Sequence, residues 1–212
     1  MSLRSASAQG ALVVLIALGA AMASGQAAAA EPGVAGTAGV RHPANGATRA
    51  GITDGVSAER DDTEALLAAR RLIVPIAGIT RASLRDTYDE RRGARPHEAI
   101  DIAAPRGTPV VAVGDGRVVK LFNSVRGGYT VYQFDPAEQF AYYYAHLDSH
   151  AEGLKEGMAV KCGDVLGYVG STGNAAADTP HLHFAIFRLG PERRWWQGTP
   201  VNPYALLNDP PR

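Results

Sequence analysis

Thr108 to Phe122 reads TPVVAVGDGRVVKLF. Thr108–Val113 is a β-branched run, Gly114-Asp115-Gly116 is a turn signal, and Arg117–Phe122 is a second apolar-rich run. Two such runs about a glycine-rich turn predict a hairpin. The pattern continues downstream at Tyr129–Phe134, Phe140–Leu147, Ala159-Val160, Val165–Val169 and Leu182–Phe187, with Gly or Asp-Pro in nearly every gap. Upstream, Leu72-Ile73-Val74 precedes Pro75. Short strands at this spacing predict an all-β sheet domain beginning at residue 72. A brief turn or helix at Asn202-Pro203-Tyr204, capped by Asn202, is expected near its end.

The 212 residues have room for one ordinary domain and an appendage. Twenty-one basic residues balance twenty-one acidic ones. A chain without net charge lacks the basic surface that nucleic acid requires, so that class of partner is not expected. Arg4 followed by the apolar run Ala11–Ala23 reads as an export signal, since spanning a bilayer takes about 20 apolar residues. Residues 1–30 are therefore expected to be a signal peptide cleaved near Ala30. An uncleaved segment acting as an inner-membrane anchor is the alternative. Residues 31–71 are expected to form a flexible linker and a short helix from Asp62 to Arg71. Asp61 can cap that helix, and Leu66 and Leu67 supply its apolar face. The domain itself is assigned to residues 72–212. Cys162 is the one cysteine, so neither an internal disulfide nor a thiolate-rich metal site can form. It has no adjacent histidine and is not expected to act as a nucleophile.

Five of the six histidines lie between residues 97 and 183. In His181-Leu182-His183, strand alternation puts both imidazoles on one face. His97 and Asp101 stand four apart; on a straight strand they would be about 13 Å apart, too far to share an ion. A bent entry into the strand is required, because Pro96 and the surrounding β pattern argue against a helix. A third element, Tyr144-Ala145-His146-Leu147, closes a strand on which Phe140, Tyr142, Tyr144 and His146 should share a face. Each element alone has an ordinary surface explanation. Together they exceed the three protein ligands of a catalytic zinc, whose fourth position holds water and whose charge lowers that water's pKa toward about 7. Further histidines can then move protons or steady an oxyanion.

The ordered series HEAID (His97–Asp101), RGTPVVAVGDGRV (Arg106–Val118), YAHL (Tyr144–Leu147), GDVLGYVGSTG (Gly163–Gly173) and HLHF (His181–Phe184) resembles the lysostaphin-like, LytM-type peptidoglycan metallopeptidases. The resemblance implies an antiparallel β fold with a long open groove, related to the duplicated hybrid motif. It implies zinc held by His97, Asp101 and His183, with His146 and His181 as catalytic residues that do not ligate. It also implies cleavage of peptidoglycan peptides in the periplasm or cell envelope. Two departures stand out. Ala99 occupies a position where the family usually has glycine, and Asn174–Pro180 (NAAADTP) is longer than usual beside the site. His150 has no family counterpart and is expected at the surface.

A non-catalytic relative that binds cell wall or activates an amidase is the alternative, although such relatives lose metal ligands and all five positions are filled here. A lipoyl-type carrier would need a lysine at a hairpin tip, which is missing. Trp195-Trp196 can only half-bury together; core packing is the expected role and ligand stacking the alternative. The oligomeric state is not legible.

Overall fold

A computed structural model describes residues 62–209. The expected signal segment, the linker through Gly55 and the Asp61 cap lie outside the described residues. No helix among the described residues is long and apolar enough to cross a membrane.

Residues 62–68 are helical and the chain leaves this turn through Arg71 at φ 50. Of the two expected helix contacts, Leu67 is fully buried in the domain core, whereas Leu66 faces solvent. Eleven strands follow: β1 (Arg91–Arg92), β2 (Arg95–Pro96), β3 (Ile100–Ala103), β4 (Pro109–Val111), β5 (Gly116–Ser124), β6 (Gly128–Phe134), β7 (Phe140–His150), β8 (Ala159–Val160), β9 (Val165–Val169), β10 (His181–Leu189) and β11 (Gly198–Val201). β1 and β2 form a small hairpin. The others make one antiparallel sheet in the order β11-β10-β7-β6-β5-β8, with β3 added to β10 and the β4–β9 pair joined to β7. The C-terminal turn forms as expected, with Asn202 Oδ1 accepting from the Tyr204 amide at 2.9 Å.

The hairpin expected across Gly114-Asp115-Gly116 does not form. β4 pairs with β9, and β5 pairs with β6 and β8. Each backbone group that such a hairpin would use is already engaged. The Ala112 amide donates to Asp164 and its carbonyl accepts from Gly163, both at 2.9 Å, while the Val113 carbonyl accepts from Ile73 at 2.9 Å. The Asp115 carboxylate accepts from the Cys162 amide and from Lys161 Nζ, each at 2.9 Å. Gly114–Gly116 is thus a corner tied to the Lys161–Asp164 turn.

The sheet separates its two faces cleanly. Leu182, Phe184 and Ile186 of β10, Phe140, Tyr142 and Tyr144 of β7, and Ile100 and Ile102 of β3 all point into one core. His181 and His183 necessarily point the other way. Inside the core, Tyr144 donates its hydroxyl to Gln133 Oε1 at 2.7 Å and accepts from the Val113 amide at 3.0 Å. Gln133 Nε2 in turn donates to the Gly114 carbonyl at 2.7 Å. This network secures the corner that replaces the hairpin. Tyr144→Phe leaves a buried amide and a buried amide oxygen without partners, so a loss of about 1–3 kcal/mol in unfolding free energy is expected in urea denaturation. A change within measurement error would contradict the network's role.

Candidate metal centre

Register decides which side chains meet. The first half of β10 is flanked by two strands at once: His183 pairs with Asp101 on β3 and with Ala145 on β7. Directly paired residues carry side chains on one face at close range, so Asp101 stands beside His183, and His146 follows the residue on its other side. His97 reaches the same place by a bend. Glu98 takes the left-handed region at φ 54 immediately before β3, and His97 Nε2 comes to 3.1 Å from Asp101 Oδ1. The bend also explains the departure at Ala99. The positive φ falls on Glu98, while Ala99 is fully buried with an ordinary backbone, so no glycine is needed there.

His146 departs from the expected alternation. Phe140, Tyr142 and Tyr144 share the core face, but His146 adopts φ 60 and its amide donates to the Gly127 carbonyl at 2.8 Å. The ladders around it slip in register, between Tyr129 and Val131 on β6 and between Leu147 and Ser149 on β7. This bulge rotates His146 onto the opposite face. Its ring lies 5.1 Å from that of His181 and 5.5 Å from that of His183.

His97 Nε2, Asp101 Oδ1 and His183 Nδ1 form a triangle with each side 3.1 Å. Among the described residues these three are the group able to hold a metal ion. Around them, backbone carbonyls set the tautomers. A carbonyl only accepts, so His97 Nδ1 donates to Thr87 at 2.9 Å, His146 Nδ1 to Thr172 at 2.9 Å, and His181 Nδ1 to Thr179 at 2.8 Å. In the neutral rings each Nε2 therefore keeps its lone pair. Asp101 Oδ2 accepts from Arg92 at 2.6 Å, and the Asp101 amide donates to Thr87 Oγ1 at 3.0 Å. The inner oxygen, Oδ1, is left for the triangle, where it faces the two imidazole nitrogens.

Such convergence suits a cation with nitrogen and oxygen donors. A tetrahedral ion bound at about 2.0–2.1 Å keeps its ligand atoms about 3.3 Å apart, close to the triangle's edge. The tie from His97 Nδ1 to the Thr87 carbonyl is the outer support that a metal-binding histidine requires. The electrostatics agree. Burial would raise the Asp101 pKa, but hydrogen bonds from His183 and His97 hold it far below the usual carboxylate range. Burial opposes charge on His97, yet its bonds to Asp101 and Thr87 outweigh this and raise its pKa; at His183 burial dominates and lowers it. Burial, reinforced by His183, pushes His146 down to about 4.

The triangle lies in an open cavity of about 660 Å³ that Arg92, His146 and His181 also line. Its far wall is the long loop, through Asn174, Ala175, Ala176, Thr179 and Pro180. All five site residues named from sequence thus meet in one place. Thr87, Arg92 and Thr172 were not foreseen, since nothing in their local pattern distinguishes them. His150 is half-buried rather than at the surface; it donates to the Thr130 carbonyl and is not part of the cluster. His42 lies outside the described residues. Cys162 is exposed, and desolvation together with Asp115 and Asp164 raises its thiol pKa, which disfavours a nucleophilic thiolate.

Residues 95–203 match the model of Peptidase family M23. The chain belongs to this family of metallopeptidases. It is 35% identical over 130 residues to an L-Ala–D-Glu endopeptidase of Bacillus subtilis, a match covering 57% of this chain and 39% of that protein. It is 35% identical over 92 residues to the peptidoglycan DD-endopeptidase ShyB of Vibrio cholerae, covering 43% of this chain and 20% of that protein. The chain thus spans well under half the length of these curated relatives. Among solved structures, a candidate glycyl-glycine endopeptidase LytM of Ruminococcus gnavus aligns with TM-score 0.55 and 29% identity, over 78% of this chain and 74% of that one. The antiparallel architecture is therefore the M23 fold of the LytM and lysostaphin type.

In the metal-free M23 chain, folded His146 takes a proton only near pH 4, whereas the unfolded chain takes it near 6.5. Between those values the unfolded state binds more protons, so stability is full above pH 6.5 and falls as pH drops toward 4. His146→Gln should flatten that slope in thermal melts stepped through pH under chelator. An unaltered slope would show that another group is responsible.

Proposed function

We propose that this M23 protein is an exported zinc endopeptidase that hydrolyses peptide cross-links of peptidoglycan. The observation that carries the reading is the 3.1 Å triangle of His97, Asp101 and His183 beside two further histidines on the wall of an open cavity. His97, Asp101 and His183 would hold the metal. When bound, zinc supplies Lewis acidity, lowering the pKa of water toward about 7 and polarising a carbonyl.

The remaining chemistry falls to residues of the chain. His146 is neutral at neutral pH and its Nδ1 is committed to Thr172. Its Nε2 can take a proton from the attacking water and return it to the departing amide nitrogen. The scissile C–N bond then breaks to a carboxylate and an amine. His181 Nε2 lies 3.9 Å from Asp101 Oδ1; once protonated, it can donate to the oxygen on which charge develops. Arg92 holds the outer oxygen of Asp101, so that one oxygen alone faces the cavity centre.

Peptidoglycan as substrate is supported by the activities for which the relatives are named. Export to the periplasm or envelope is supported by Arg4 and the Ala11–Ala23 run. In this reading residues 1–30 are the signal, 31–71 the linker and short helix, and 72–212 the peptidase domain, with Leu67 tying the helix to the same core.

The test is digestion of purified sacculi by the zinc-loaded chain, with released fragments identified by mass. Soluble peptides should appear, disappear under chelator and return with zinc, and His183→Ala should bind no zinc. His146→Ala should keep about one zinc per chain yet lose roughly 10²–10⁴-fold in rate, the usual contribution of a general base. Intact sacculi with a fully loaded chain would overturn the proposal. Metal loss in His146→Ala would reassign that residue as a ligand.

A further inference from the structure

Trp195 and Trp196 do not pack in the core as expected. Trp195 is half-buried and Trp196 is 41% exposed, and neither belongs to the core cluster. They end a row of aromatic rings that begins at the candidate metal centre. The Tyr143 ring lies 6.0 Å from that of His183, Tyr132 lies 4.5 Å from Tyr143, and Trp195 lies 4.8 Å from Tyr132. Phe122 and Trp196 flank Trp195 at 5.9 and 5.1 Å. Register places the row on the cavity side of the sheet. Tyr143 pairs with Ala185, two residues from His183, and Tyr132 pairs with Tyr143. Alternation therefore gives these side chains the same face as His183. Alanines at 141, 145 and 185, all buried, let the larger rings lie low over that face.

We infer that this row is a saccharide-binding subsite, which seats pyranose rings of the glycan strand whose peptide enters the metal centre. The inference rests on the peptidoglycan reading above. Its chemistry is that of a stacking platform. Aromatic faces carry negative quadrupole density and attract the weakly positive C–H groups that line a pyranose face. A contiguous, partly exposed aromatic surface beside a site marks an interaction surface rather than incidental exposure. Charge selects a neutral ligand. Lys120, which pairs with Tyr132 in register, and Arg193 and Arg194, which precede Trp195, are each paired with a carboxylate: Lys120 with Glu156 at 2.8 Å, Arg193 with Glu138 at 2.9 Å, and Arg194 with Glu192. A polyanion that stacks its bases would need unpaired cations along the row. An acidic peptide would need them too, whereas an N-acetylated sugar needs only the rings and a polar rim.

The two tryptophans are the only ones in the chain, so intrinsic fluorescence reports on the platform directly. Titrating the full chain with the β-1,4-linked tetramer of N-acetylglucosamine should produce a saturable change in emission. Trp195→Ala should weaken that binding about tenfold, the value of one stacking contact. The same substitution should reduce peptide release from sacculi more than cleavage of glycan-free cross-linked peptides, and should raise KM rather than lower kcat. Should Trp195→Ala fail to fold by circular dichroism, Trp196→Ala, at an exposed position, takes its place. No saturable change with the tetramer, or an equal loss on both substrates, overturns the inference. A change produced by glycan-free peptide instead assigns the platform to the peptide and also overturns it. Tetramer binding without any hydrolysis would remove the endopeptidase reading and leave the saccharide site standing; hydrolysis without tetramer binding would do the reverse.

Discussion

The antiparallel register of β10 between β3 and β7 is the constraint from which the rest of the site follows. His183 faces Asp101 across one ladder and Ala145 across the other. Sliding β10 by one residue would move Leu182 onto the cavity face and His183 into the core. Burial of Leu182, Phe184 and Ile186, each fully inaccessible, makes that slip costly. The core thus holds the histidines in place indirectly, by fixing which face they cannot occupy.

Around this frame, backbone groups do much of the chemical tuning. The carbonyls of Thr87, Thr172 and Thr179 each accept one imidazole hydrogen bond, from Nδ1 of His97, His146 and His181 respectively. Two loops, the one before β1 and the one between β9 and β10, therefore leave lone pairs on the Nε2 atoms without spending a side chain on orientation. Thr172 is itself clamped, donating its hydroxyl to the Leu147 carbonyl at 2.6 Å and accepting from the Tyr129 amide at 3.0 Å. Gly128, at φ 62, allows this close approach, because a Cβ there would collide with the threonine. The bulge at His146 belongs to the same arrangement: it gives up a regular ladder bond and places a base where alternation would have placed a core residue.

The face that carries the histidines also carries a contrast between small and large side chains. Alanines beside His183 keep the floor low, while Tyr143, Tyr132 and the tryptophans build outward from it. One sheet thereby supplies a packed core below, a polar centre at one end of its upper face and an aromatic surface at the other.

Periodicity and punctuation were enough to recover β4 to β10, because alternation records which side of a sheet is buried; the short strands β1, β2 and β11 carry no such pattern. Short motifs were enough to name the five residues that converge: HEAID and HLHF supply four of them within a few residues each, and YAHL supplies His146. The partner of each strand was not legible, as the corner at Gly114–Gly116 shows: apolar runs flanking a turn look the same whether they pair with each other or with strands far along the chain. Nor was the face of His146, since a bulge depends on what lies across two ladders. Arg92 and Thr87 were equally silent, because a guanidinium or a carbonyl acquires its role only from the atom brought against it. Local chemistry is written residue by residue along the chain, whereas pairing, register and the surroundings of each polar atom are properties of distant segments meeting in space.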